Sequence, residues 1–200
     1  IRKIFDFAHN KPCILFLDEF DAIAKARDDQ HELGELKRVI NSLLQNIDSF
    51  SNNNILIAAT NHPELLDKAI WRRFNHVIEI GLPTEFEIME LVKEFTLKFK
   101  NDFLDDKKKM DRIVKLLEGK SPSDIKAIIN NAKTHVIING NAKLTYEELL
   151  FEIYEFNTHG TFSFEKMIEF LNENGIPQAV IADKMKISLR QIRNYLNKQA

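Results

Sequence analysis

Cysteine is nearly absent. Cys13 is the only one in 200 residues, which excludes a disulfide within the chain and fits a reducing cytoplasm. No uninterrupted apolar run approaches the roughly 18–20 residues of a membrane-spanning helix, so no membrane partner is expected. A basic excess is missing as well. Lys and Arg number 28 against 30 Asp and Glu, for a net charge of −2, so any contact with nucleic acid has to rest on a local patch. The six histidines, at 9, 31, 62, 76, 135 and 159, show no paired ligand spacing; metal catalysis beyond a nucleotide-bound ion is not expected. No phosphate-cradling G-x-x-x-x-G-K-S/T loop occurs in the sequence. The first residue is Ile1 rather than Met, as expected of a fragment or a processed piece.

What is present centres on residues 13–24, CILFLDEFDAIA. Cys13 to Leu17 are apolar without interruption, the pattern of a strand buried on both faces of a parallel sheet, with Cys13 packed inside it. Asp18 and Glu19 follow where that run stops. Ligands of open α/β sheets bind outside the carboxyl ends of the strands. An Asp there can hold hydrated Mg²⁺ and a Glu can polarise an attacking water; the bland reading is a core strand that ends in solvated acids.

Upstream, residues 1–11 have the helical spacing of Ile4, Phe5 and Ala8. Downstream, a polar loop surrounds Gln30 and His31, and a helix over 32–48 carries Leu33, Leu36, Val39, Ile40, Leu43, Leu44 and Ile47 on one face. The run ILIAATN at 55–61 is a second strand ending in Thr60-Asn61, where an amide can bond a water or a phosphate or simply make a turn. A short helix over 65–70 delivers Arg72 and Arg73, either solvated surface or bidentate partners for phosphate oxygens. HVIEI at 76–80 reads as a third, shorter strand.

After Pro83 the strand pattern ends and amphipathic helices follow to about residue 157. Thr84-x-x-Glu87 and Thr145-x-x-Glu148 are capping boxes, and Ser121 caps a helix with Pro122 at its first position. Lys107 to Lys109 suit a solvated loop or a helix start. Residues 158–200 then have the spacing of a helix-turn-helix, with Ala182 at the crossing, Ile187 after the turn, Ile192 inward and Ser188-x-x-Gln191 as a fourth cap. From 176 to 200 the cations Lys184, Lys186, Arg190, Arg193 and Lys198 face one acid, Asp183, for a local charge of +4. Lys186, Arg190, Gln191 and Arg193 are the candidates for contact with DNA in a major groove; the other reading is a helical hairpin that packs on its neighbours or binds protein.

The order hydrophobic strand-DE, strand-TN, LDKAIWRRF resembles the AAA ATPases of the wider AAA+ group. CILFLDEFDAIA is similar to their Walker B motif, IAATN to the sensor-1 strand, TNHPELLDKAIWRRFNHVIEIGLP to the second region of homology, and GKSPSDI to the lid motif GFSGADI. The resemblance covers roughly residues 1–157. It implies an α/β fold: a partial αβα parallel-sheet core over 1–82, an all-α lid over 83–157 and a small helical tail domain over 158–200.

For the site, the resemblance implies ATP and Mg²⁺ as cofactors. Asp18 would support Mg²⁺ through water, Glu19 would polarise the hydrolytic water and Asn61 would be sensor 1. Arg72 and Arg73 would be arginine fingers acting on nucleotide held by a neighbouring subunit, usually in a homohexameric ring working on a protein substrate. Pro122 and Ser123 would lie near the adenine and ribose. Two departures stand out, His62 for a common Arg and Pro122 for a Gly in the lid motif. No Arg occupies the sensor-2 position, which favours the AAA clade proper. The three strands correspond to the third, fourth and fifth of five, the fifth without its neighbour. The expectation is the carboxyl-terminal part of a longer ATPase, inactive in isolation, with a DNA-binding regulatory ATPase acting through the helix-turn-helix as the alternative.

Overall fold

The structure, a computed structural model, describes residues 2–9, 11–24, 33–50, 53–66, 68–161 and 163–197; the side chains of 23, 24 and 33–37 also lie outside the description. The loop expected around Gln30 and His31 falls among the residues not described. The chain divides into two units, residues 1–79 and 80–200.

In the first unit, α1 (Arg2–His9) leads into strand β1 (Ile14–Leu17), followed by α2 (Asp21–Ala24), α3 (Leu33–Asp48), β2 (Ile55–Ala58), a 3₁₀ turn (Pro63–Leu65) and α4 (Lys68–Trp71). β1 and β2 pair in parallel, Ile14 opposite Ile55 through Leu17 opposite Ala58. Parallel neighbours need a long crossover, and α3 supplies it. Ile40, Leu43, Leu44 and Ile47 of α3 are buried with Phe5 and Phe20, and Leu15, Leu17, Leu56 and Ala58 pack against them. Successive strand residues point to opposite faces, so the other face carries Ile14, Phe16, Ile55 and Ile57, which remain 44–64% exposed.

That corrects the expectation of a strand buried on both faces: among the described residues, helices cover one side of this sheet only. Cys13 is likewise not inside the strand. It is half-buried just before β1, where its N–H donates to Asn54 Oδ1 at 2.9 Å and Asn54 Nδ2 donates to the Ala8 carbonyl at 2.8 Å. The third strand expected at 76–80 is absent too. Val77, Ile78 and Ile80 are 64%, 84% and 92% exposed, without ladder partners. A β-branched run becomes a strand only when a neighbouring strand takes up its backbone groups, and none of the described residues supplies one.

The second unit is helical: α5 (Glu85–Thr96), α6 (Lys107–Leu117), α7 (Pro122–Ile138), α8 (Tyr146–Asn157), α9 (Phe164–Glu173), α10 (Gln178–Met185) and α11 (Leu189–Asn197). Full reciprocal capping boxes start α5, α7 and α8, as their sequences predict. Asp106 caps α6, so the basic run 107–109 is a helix start. A two-residue parallel ladder, β3 (Lys100–Asn101) with β4 (Lys143–Leu144), interrupts the expected all-helical stretch. It is too short to leave a period-2 signature.

One apolar core runs through the whole unit, from Ile113 and Ile128 to Leu171, Ile181 and Ile192. Polar ties reinforce it. The Asn174 carbonyl at the end of α9 accepts from Arg112 Nη1 at 2.7 Å and from the Tyr146 hydroxyl at 3.1 Å. Gly175 follows at φ 83°, and a β-carbon there would run into the Arg112 guanidinium.

Two carboxylates lie in the seam between α7, α8 and α10. Glu152 Oε1 is 2.5 Å from His135 Nδ1, and Glu148 Oε1 is 3.5 Å from Lys184 Nζ. Glu152 is 6% exposed; burial pushes its carboxyl above the ordinary range, the charge of Glu155 adds to that, and His135 and Lys184 oppose it. A raised folded pKa means that the folded state holds the proton more tightly. That contribution is complete below the ordinary carboxylate range and is lost as pH rises through the raised value. Glu152→Gln carries no charge at any pH. It is expected to melt above wild type at neutral pH and together with it in acid, as thermal denaturation across pH would read. A variant that melted lower at neutral pH would show that the His135 pairing outweighs burial.

Candidate functional site

The register of β1 on β2 decides what meets at their carboxyl ends. The ladder continues past both strands: Ala59 N–H donates to the Leu17 carbonyl at 2.9 Å, and Phe20 N–H donates to the Ala59 carbonyl at 2.9 Å. Asp18-Glu19 therefore leaves the sheet alongside Ala59-Thr60, with Asn61 next. All three candidate groups, the Asp18 and Glu19 carboxylates and the Asn61 amide, are exposed there.

Their backbone is fixed from below. Phe20 is buried to 1% exposure and meets the Phe74 ring edge-on at 5.9 Å. Asp18 Oδ1 accepts from the Glu19 N–H at 2.9 Å, which leaves its second oxygen free of any hydrogen bond among the described residues. Glu19 sits in the left-handed region at φ 50°, a conformation that costs a non-glycine residue about 1–2 kcal/mol. Its carbonyl accepts from Ala22 N–H at 2.9 Å as α2 begins.

Thr60 does a different job. Its hydroxyl donates to Asp21 Oδ1 at 2.7 Å and accepts from His62 N–H at 3.0 Å, tying the end of β2 to the start of α2. The Asn61 side chain makes no hydrogen bond among the described residues. The Thr60–Asp21 bond spans 39 residues of sequence, and no local motif announces it.

The two arginines are separated by their surroundings. Arg73 is turned inward: Nη1 donates to the Ala69 carbonyl at 2.6 Å and Nη2 to Asp48 Oδ2 at 3.0 Å, while Nε is buried without a partner. Arg72 is exposed and forms no ion pair or hydrogen bond among the described residues. In the second unit, Pro122 and Ser123 are exposed at the first turn of α7, above a cap in which Ser121 Oγ accepts from Asp124 N–H at 3.1 Å. The hydroxyl and amide of Ser121 hold the Asp124 carboxyl below its usual range.

A second candidate surface lies at α10 and α11. α10 ends with Lys186 in the left-handed conformation (φ 53°), and Ile187 N–H reaches back to the Ala182 carbonyl at 3.0 Å, a Schellman-type stop. Ser188 then caps α11, its N–H and hydroxyl both donating to Gln191 Oε1 at 2.9 Å. Arg190, Gln191, Arg193 and Asn194 are exposed, and no acid occurs on α11. Lys184 does not belong to this surface. It is engaged by Glu148 and lies 5.2 Å from the Phe151 ring centroid.

No helix of the described residues is long and apolar enough to cross a membrane, and no cluster of three or more metal-ligating side chains occurs among them.

Residues 1–82 match the family described as "ATPase family associated with various cellular activities (AAA)". An uncharacterized AAA family ATPase, y4kL, of Sinorhizobium fredii is 52% identical over 101 residues, 50% of this chain and 30% of that protein. The proteasome-activating nucleotidase of Methanoregula boonei is 34% identical over 157 residues, 75% of this chain and 35% of its own length; that of Methanococcus vannielii is 36% identical over 155 residues, 74% and 37% respectively. The chain thus spans about a third of the length of these curated relatives. The crystal structure of the FIGL-1 AAA domain in complex with ADP superposes with a TM-score of 0.62 at 20% identity, over 86% of this chain and 60% of that one, a likeness of fold.

Proposed function

We propose that this chain, whose residues 1–82 are part of an AAA-family ATPase domain, works within a longer, ring-forming ATPase, a homohexamer, that hydrolyses ATP to remodel a protein substrate. The observation that carries this reading is the shared strand end, where Asp18, Glu19 and Asn61 emerge side by side with Glu19 held at φ 50°. Two further features support it: the relatives extend well beyond the matched region, and Arg72 is free to reach outward.

The exposed strand-end residues of the first unit suit part of a nucleotide site. Asp18 has an oxygen open to the water shell of Mg²⁺, which would neutralise charge on the phosphates when bound. On this reading Glu19 would orient and polarise a water and Asn61 would hydrogen-bond that water or a phosphate oxygen; for Pro122 and Ser123 the adenine and ribose contact rests on the family resemblance alone. The phosphate cradle is not among these 200 residues, and we assign it to the longer protein. The test is ATP turnover by the full-length assembly beside its Glu19→Gln form.

A second reading is favoured by a specific observation, two short helices, α10 and α11, joined through the left-handed Lys186, with no acid on α11. In this reading the tail binds duplex DNA through the cations Lys186, Arg190 and Arg193 of the candidate set, with the ATPase as regulator. Binding by the 200-residue chain is expected to weaken at least roughly tenfold between about 50 and 200 mM salt and to be lost in the Arg190→Ala/Arg193→Ala double variant. A salt-insensitive interaction or none would assign the tail to packing or protein contact.

A further inference from the structure

The helix-turn-helix geometry assigns its roles unevenly, and we propose, resting on the reading that the tail binds duplex DNA, that Arg190 and Asn194 read the bases while Gln191 does not. Ile192 is fully buried and marks the side of α11 that faces the core. At about 100° per residue, Arg190 and Asn194, two positions before and two after it, both point roughly 160° away from the core. They are also i and i+4 neighbours, so together they form the outermost ridge of the helix, in its first turns. In helix-turn-helix proteins that part of the second helix reaches base edges. Gln191 and Arg193 lie at about 100° from Ile192, on opposite flanks.

By residue type alone, Gln191 is the stronger candidate for adenine, since it sits in the first turn. The hydrogen bonds argue otherwise. A bidentate contact with adenine needs the amide oxygen to accept from N6 while the amide nitrogen donates to N7. Gln191 Oε1 already accepts from Ser188 N–H and from Ser188 Oγ, each at 2.9 Å. Turning it toward a base would dismantle the cap that starts the helix. Asn194 is exposed and its amide makes no hydrogen bond among the described residues, so both halves of the amide are available. Arg190 is equally free and presents the fork that suits O6 and N7 of guanine. Arg193 on the flank and Lys186 in the turn carry positive charges without acidic partners among the described residues and fit phosphate oxygens. Lys184 is excluded by its bond to Glu148.

The experiment selects preferred duplexes from a random-sequence library with the 200-residue chain. It then compares affinity for a selected and a scrambled duplex at fixed salt in four proteins. Asn194→Ala is expected to lose roughly 5- to 150-fold of the preference while keeping its affinity for the scrambled duplex and its salt slope. Arg193→Ala is expected to weaken both duplexes alike and to lower the salt slope by about one. Gln191→Glu preserves the capping box and is expected to keep the preference of the wild-type chain, with a uniform loss from the added charge. Preference lost in Gln191→Glu, or retained in Asn194→Ala, overturns the assignment and leaves DNA binding intact. A wild-type chain that binds no duplex in a salt-dependent way, or that binds single-stranded RNA more tightly than any duplex, overturns the DNA reading and this assignment with it.

Discussion

On the proposed reading, Glu19→Gln in the assembled full-length protein is expected to lower ATP turnover by about 10²–10⁴ and to leave ATP bound. The substitution keeps the size of the side chain and removes the charge that would orient and polarise the attacking water. Asp18 and its open oxygen are untouched, so the support proposed for Mg²⁺ would persist, and affinity for nucleotide should change little. The left-handed backbone at Glu19 sharpens the expectation. Glutamine tolerates that conformation about as well as glutamate does, so fold and stability are controls in this comparison. Glu19→Gly, which would relieve the strain, should be slow in turnover without being less stable. Turnover, nucleotide retention and thermal melting measured together separate the outcomes. A Glu19→Gln protein that turned over ATP like wild type would falsify the assignment of this carboxylate. One that lost ATP binding as well would shift its role from activating water to holding the nucleotide.

How much of this was legible in the sequence depended on range. Each capping box joins residues three apart, and those at Thr84, Ser121, Thr145 and Ser188 are all formed. The end of β1 before Asp18 was legible for a similar reason, since an apolar run stops where the polar residues begin; β2 stops at Ala58, short of the strand expected to run to Asn61. The failures are non-local. HVIEI has the composition of a strand, but a strand is a property of a pair, and no partner exists among the described residues. The β1–β2 sheet is apolar on both faces, yet no helix among the described residues covers one of them, because sequence shows which residues want burial and not what is there to bury them. Lys184 counted toward the basic tail until Glu148, 36 positions earlier in the chain, claimed it. Arg73 met the same fate through Asp48.

That last separation gives a prediction of equal size. Arg72 and Arg73 are adjacent and of one type, and the family resemblance gives them one role. The structure gives them different surroundings. Arg73 is held by Asp48 and the Ala69 carbonyl, so Arg73→Ala should cost the first unit about 1–2 kcal/mol of stability whatever it does to catalysis. Arg72 is exposed and makes no hydrogen bond or ion pair among the described residues for its removal to break. If it serves nucleotide on a neighbouring subunit, Arg72→Ala should lower turnover by about 10³–10⁵ with melting and nucleotide affinity unchanged.

Action in trans has a consequence that action in cis lacks. A ring mixed from Arg72→Ala and Glu19→Gln subunits, each inactive alone, contains interfaces where an intact Glu19 faces an intact Arg72. Random mixing in equal amounts makes these roughly a quarter of all interfaces in a closed ring. Turnover should therefore recover to a comparable fraction of wild type. No recovery on mixing would place Arg72 on the nucleotide of its own subunit. Undiminished turnover in Arg72→Ala alone would remove it from the chemistry and leave Arg73, despite its bond to Asp48, as the arginine to test.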